Sequence, residues 1–145
     1  MTDFRQITPD FWVAPQIEPA DIAVAAADGV TLIVNNRPDG ESPSEPQGDE
    51  IEEAAKAAGL NYIAIPITHA GFSEAQVIAL AEGLEQNAGK TLAYCRSGTR
   101  STLLWALTCA RAGQSPEAIA EAAANAGYDV SPVAGILHAF ADAAS

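Results

Sequence analysis

Positive charge is scarce in this chain. Seven Lys and Arg stand against 19 Asp and Glu in 145 residues, for a formal net charge of −12. So acidic a surface argues against nucleic acid and against an anionic membrane as partners. Cysteine is scarcer still, with only Cys95 and Cys109. Two thiols make no disulfide framework, and they suit a reducing cytoplasm. The two histidines, His69 and His138, are far apart and there is no paired cysteine spacing, so no structural metal is expected. No apolar run approaches a membrane span, and the first residues lack the basic and apolar pattern of a signal sequence. Repeats and low-complexity tracts are absent as well. With 48% apolar residues, the expectation is one soluble globular domain over residues 1–145, large enough to bury a core.

What is present alternates. Residues 11–17 read as a strand, paired with residues 4–7 as a hairpin. Glu18-Pro19 opens a helix that Asp28-Gly29 ends. Residues 30–35 are rich in β-branched side chains, the mark of a strand buried on both faces. Arg37-Pro38-Asp39-Gly40 is a turn by composition. A loop and a helix over residues 48–58 follow, with Asp49, Glu50, Glu52 and Glu53 as a solvated first turn. A second core strand is expected at 61–67. Ser73 and Gln76 have the spacing of a capping box for a helix reaching residue 86. A third core strand occupies 91–94, and helices are expected at 101–112, 115–126 and 131–144. This alternation predicts an α/β fold with a mainly parallel central sheet of four to five strands, flanking helices and a helical C-terminus. Such sheets carry their sites at the carboxyl ends of the strands. Three segments, Arg37 to Glu41, Thr68 to Phe72 and Cys95 to Arg100, are therefore expected on one rim.

The most informative of these is Cys95-Arg96-Ser97-Gly98-Thr99-Arg100-Ser101. A strand ends at the cysteine, a short glycine-containing loop follows, and a helix begins. That arrangement converges backbone N–H groups and the positive helix end on one point. An anion is stabilised there, and a thiol there gives up its proton more readily. Ser97, Gly98, Thr99 and Arg100 can offer N–H groups, with Gly98 allowing positive φ or close approach. Arg100 has a planar fork for two oxygens of a tetrahedral anion. Ser101 can donate its hydroxyl to the thiolate. Arg96 is either a solvent-facing cation on the substrate rim or a partner of Asp39 or Glu41. Asp39 is either a general acid or the anchor of an Asx-type turn, and Arg37 either an anion contact or a partner of a nearby carboxylate. His69 either protonates a leaving group or is simply solvated. Trp105 falls on the buried side of the following helix, Cys109 is either buried there too or a resolving thiol under oxidation, and His138 reads as a core or edge residue of the last helix.

Several pieces together carry a family resemblance: Phe11-Trp12-Val13-Ala14-Pro15-Gln16-Ile17, the Asn35-Asn36-Arg37-Pro38-Asp39-Gly40-Glu41 turn, Ala58-Gly59-Leu60-Asn61-Tyr62, and the run from Tyr94 through Cys95 to Leu107. On these the chain resembles the bacterial beta-lactamase hydrolase-like phosphatase-like domains, relatives of tyrosine and dual-specificity phosphatases. The resemblance implies a phosphatase-like α/β fold with Cys95 as nucleophile, a phosphocysteine intermediate and Arg100 as the phosphate-binding arginine. It implies no metal and no cofactor, and a phosphorylated small molecule or phosphoprotein as substrate. Tyrosine phosphatases place five residues between cysteine and arginine. Here there are four, Ser101 stands in the usual arginine slot, and Tyr94 replaces the usual histidine. The shorter loop also resembles rhodanese-type sulfurtransferases, in which the cysteine carries a persulfide. A non-catalytic anion- or partner-binding module is the third reading.

Overall fold

The computed structural model describes residues 3–68 and 70–144. Strands β1 (Arg5–Thr8) and β2 (Phe11–Ala14) form an antiparallel hairpin. Thr8 Oγ1 closes its turn by accepting from the N–H groups of Asp10 and Phe11. The expected strand over 11–17 stops at Ala14, because Pro15 has no N–H to continue the ladder. Helix α1 (Pro19–Ala27) follows, its first turn fixed by a capping box between Glu18 and Asp21. Then come β3 (Val30–Asn35), α2 (Gly48–Ala57), β4 (Asn61–Ala64), α3 (Glu74–Glu85) and β5 (Lys90–Tyr94). The chain ends with α4 (Thr99–Arg111), α5 (Pro116–Asn125), a 3-10 turn (Ser131–Val133) and α6 (Ala134–Ala144). The Ser73–Gln76 capping box of α3 is formed from both sides.

The sheet order is β1-β2-β5-β3-β4, with every pairing beyond the hairpin parallel. Side chains of the central strands alternate between two apolar layers. Val13, Leu32, Val34 and Ala93 face α3 to α6, while Ala14, Ile33, Leu92 and Tyr94 face α1 and α2. Both faces are covered, which is why these strands read as unbroken apolar runs. The strand expected at 61–67 is cut at Ala64 by Pro66. Its hydrogen bonding nevertheless continues, from Ile65 N–H to Asn35 O and from Ile67 N–H to Asn36 O. The last helix differs from expectation too, since Pro132 makes its first turn a 3-10 turn. His138 is exposed on α6 rather than part of the core, because the buried side of that helix is carried by Leu137.

Helix α4 is the centre of the molecule. Every residue from Ser101 to Ala110 is buried, Trp105 and Cys109 included. The helix lies between the sheet and the other helices, with the hydroxyls of Thr102 and Thr108 turned back onto the helix carbonyls of Gly98 and Leu104. Burial pushes the Cys109 thiol up to about 12, so it is inert at neutral pH. Among the described residues no helix is long and apolar enough to cross a membrane.

Candidate active site

The site forms where β5 delivers its chain to α4. The loop backbone is stitched to the neighbouring β2 end by Cys95 N–H donating to Ala14 O at 3.3 Å and Gln16 N–H donating to Arg96 O at 3.4 Å. Gly98 is the N-cap of α4 and has φ of +90°, a left-handed conformation that side chains resist. The helix thus begins at Thr99, two residues earlier than its composition suggests. Its first return bond is from Thr102 N–H to Gly98 O, at 3.0 Å. The N–H groups of Arg96, Ser97, Arg100 and Ser101 find no acceptor among the described residues. Such groups, at the positive end of a helix, are what an anion needs.

Cys95 is fully buried at the base of this loop, and Gly98 N–H donates to its Sγ at 3.1 Å. Ser101, expected to donate there, is also buried, but its hydroxyl has no hydrogen-bond partner among the described residues. Ser97 and Thr99 are exposed and bond each other, hydroxyl to hydroxyl, at 3.0 Å.

Arg100 is held in place by two other loops. Its Nη1 donates to Glu41 Oε2 at 2.9 Å and to Ile67 O at 2.8 Å, and its Nη2 donates to Glu41 Oε1 at 2.7 Å. The hydrogens left over are that of Nε and the second of Nη2, which lie on the same edge of the guanidinium. One edge therefore grips the protein while the other remains a two-pronged fork. Glu41 and, secondarily, Cys95 hold the Arg100 guanidinium above its ordinary range.

Glu41 is the hinge-point of this arrangement. Its Oε1 also accepts from Arg37 Nε at 2.8 Å. The two arginines, Arg100 foremost, pull its carboxyl down to about 2. Arg37 itself is buried, and its Nη1 donates to Glu45 at 2.7 Å and to Gln16 Oε1 at 2.9 Å. Arg37 is thus paired with the carboxylates Glu41 and Glu45. Asp39 Oδ1 accepts from Gly48 N–H at 2.9 Å, tying the turn to the start of α2. Arg96 is exposed, and its side chain has no hydrogen bond or ion pair among the described residues, so neither Asp39 nor Glu41 pairs with it. The role considered for His69 lies outside the described residues.

The three rim segments meet around one groove of about 350 Å³, lined by Glu41, Ile67, Thr68, Phe72, Arg96, Arg100 and Leu103. Two contacts have no signal in the sequence: Glu41 is expected on the rim as a partner of Arg96 and not of Arg100, and Tyr128 is not expected there at all. Glu41 stands 59 residues from the arginine it braces. Tyr128, whose hydroxyl donates to Ser97 O at 3.1 Å, reaches the loop from beyond α5.

This geometry has known relatives. The family of beta-lactamase hydrolase-like proteins, phosphatase-like domain, matches residues 3–113. The beta-lactamase hydrolase-like protein of Xylella fastidiosa is 39% identical over 80 residues, covering 55% of this chain and 19% of that protein. The chain thus spans about a fifth of the length of this curated relative. Among solved structures, a proposed phosphatase from Neisseria meningitidis superimposes with a TM-score of 0.82 at 28% identity, covering 94% of this chain and 96% of that one. The kinase associated phosphatase shares the fold alone, with a TM-score of 0.77 at 18% identity over 99% of this chain and 95% of that one. With most of its length matched, Cys95 loop included, the chain belongs to the family of beta-lactamase hydrolase-like phosphatase-like domains.

Proposed function

We propose that the chain is a cysteine-dependent, metal-independent phosphatase acting on phosphomonoesters. One observation carries the reading. The Cys95 sulfur accepts the Gly98 N–H at the start of α4, the helix whose second residue is the braced Arg100. In this reading the Cys95 thiolate attacks phosphorus, the ester oxygen departs, and water then cleaves the phosphocysteine to release phosphate. The loop N–H groups and the Nε/Nη2 edge of Arg100 hold the equatorial oxygens as charge redistributes. The departing oxygen needs a proton. Asp39, one candidate donor, is already engaged by Gly48 N–H. The site therefore favours leaving groups that depart without much help, such as phenols. The apolar wall of Ile67, Phe72 and Leu103 would accommodate an aromatic ring.

The test is a paired assay on the full chain with p-nitrophenyl phosphate in one arm and thiosulfate plus cyanide in the other. Phosphate release that disappears in Cys95→Ser, while that variant still binds vanadate, is the expected result. Thiocyanate production without phosphate release would replace hydrolysis with sulfur transfer. Undiminished turnover by Cys95→Ser would refute the mechanism.

A further inference from the structure

Ser97 and Gly98 share one peptide unit, and both of its polar ends are engaged. The N–H end donates to Cys95 Sγ at 3.1 Å, and the carbonyl end accepts from the Tyr128 hydroxyl at 3.1 Å. The peptide is trans, so its N–H and C=O point in opposite directions from one rigid plane. Whatever fixes one end aims the other. Tyr128 is well placed to fix it, being 8% exposed and lying directly against Gly98. A Cβ built on Gly98 would collide with the tyrosine hydroxyl. The tyrosine is braced in turn. The Arg5 guanidinium lies 5.3 Å from the ring centroid, and Arg5 pairs with Asp3 at 3.0 Å. Burial raises the Tyr128 hydroxyl above its ordinary range, so it remains a proton donor at neutral pH.

We propose that Tyr128 is a positioning residue for Cys95, holding the Ser97 carbonyl so that the Gly98 N–H stays aimed at the sulfur. It touches no reacting atom. Its effect is twofold. It locks the orientation of the peptide plane, and it polarises the amide, because a carbonyl that accepts a hydrogen bond leaves its own N–H a stronger donor. A stronger donor at Sγ favours thiolate over thiol. The inference rests on the reading of Cys95 as the nucleophile.

Tyr128→Phe tests it, because the variant keeps the ring and its packing and removes only the hydroxyl. Cys95 is labelled with iodoacetamide across a pH series, with the site identified by mass spectrometry. Cys109, held up to about 12, does not compete. Thiolate ultraviolet absorbance, compared with Cys95→Ser, gives the same information without a reagent entering the site. The pH midpoint of the labelling rate and of the thiolate signal should be higher in Tyr128→Phe by about half to one unit, the worth of one hydrogen bond. Near pH 10, above the ordinary thiol range, the two proteins should converge. Equal midpoints in the two proteins would overturn the proposal. So would a deficit that persists at high pH, which would mean a collapsed loop rather than a redirected N–H. A wild-type protein that shows the thiolate difference but releases no phosphate from p-nitrophenyl phosphate would leave Tyr128 in this role and remove the phosphatase reading instead.

Discussion

Replace Glu41 with glutamine, and the two arginines that share its carboxylate lose their common counter-charge. The wild-type carboxyl drops from 4.5 to about 2, through Arg100 first and Arg37 second. At about 1.36 kcal/mol per unit this corresponds to ~3 kcal/mol before screening. Glu41 keeps 27% of its side chain in solvent, so water weakens the pair, and ~1–2 kcal/mol is the expected net value. The folded-state carboxyl titrates lower than the unfolded one. Its contribution is thus complete above pH 4.5 and is lost as pH falls towards about 2. Urea denaturation of wild type and Glu41→Gln across that range should show a difference of ~1–2 kcal/mol at pH 6 that closes near pH 2. Catalysis offers a second reading of the same residue. If the carboxylate braces one edge of Arg100 so that the other faces the substrate, kcat/KM for p-nitrophenyl phosphate at pH 6 should fall ~10–100-fold in Glu41→Gln, with weaker vanadate binding. A variant that binds vanadate more tightly and turns over faster would refute this, showing that the carboxylate competes with phosphate for Arg100. A pH-independent stability difference would refute the electrostatic account.

Arg100→Lys keeps the charge but cannot span Glu41, Ile67 O and a phosphate at once. A loss of about 100-fold in kcat/KM is expected, and near-normal kinetics would show that charge alone suffices there. Gly98→Ala places a side chain at φ of +90° and drives its Cβ into Tyr128. It should cost ~2 kcal/mol or more by thermal or chemical denaturation. Adding Tyr128→Ala should recover the collision but not the backbone strain, so full recovery would mean that the left-handed conformation is not costly.

The parts of the fold legible in the sequence were those governed by neighbours along the chain. The β-branched run of β3 announced a strand covered on both faces. Ser73 and Gln76 announced the start of α3, and the Cys95 loop announced the junction between β5 and α4. Where expectation and structure differ, local chemistry had been read too smoothly. Pro15 and Pro66 each end a strand early, and α4 begins at Thr99, two residues before the expected start. The bracing of the site was not legible, because it depends on charge and shape brought together by the fold. Arg37, Glu41 and Arg100 form one chain of ion pairs only because the sheet sets the β3 and β5 ends side by side. No spacing rule connects Tyr128 to Ser97, 31 residues away. Arg37 illustrates the difficulty, since a cation at a strand end looks the same in sequence whether it faces a ligand or a pair of glutamates.

The burial of α4 on all sides ties the loop at its head to the most protected part of the protein. Most enzymes of this size carry their reactive groups on segments that open more cheaply than the whole. Here the Thr102 amide that closes the first turn, and the Gly98 carbonyl that receives it, belong to the last helix expected to let go. The Cys95 sulfur is then positioned by the core itself rather than by a segment that rearranges alone. Loss of the site and loss of the native state become one event, and damage to the packing around Trp105 or Leu107 is transmitted along the helix to Cys95.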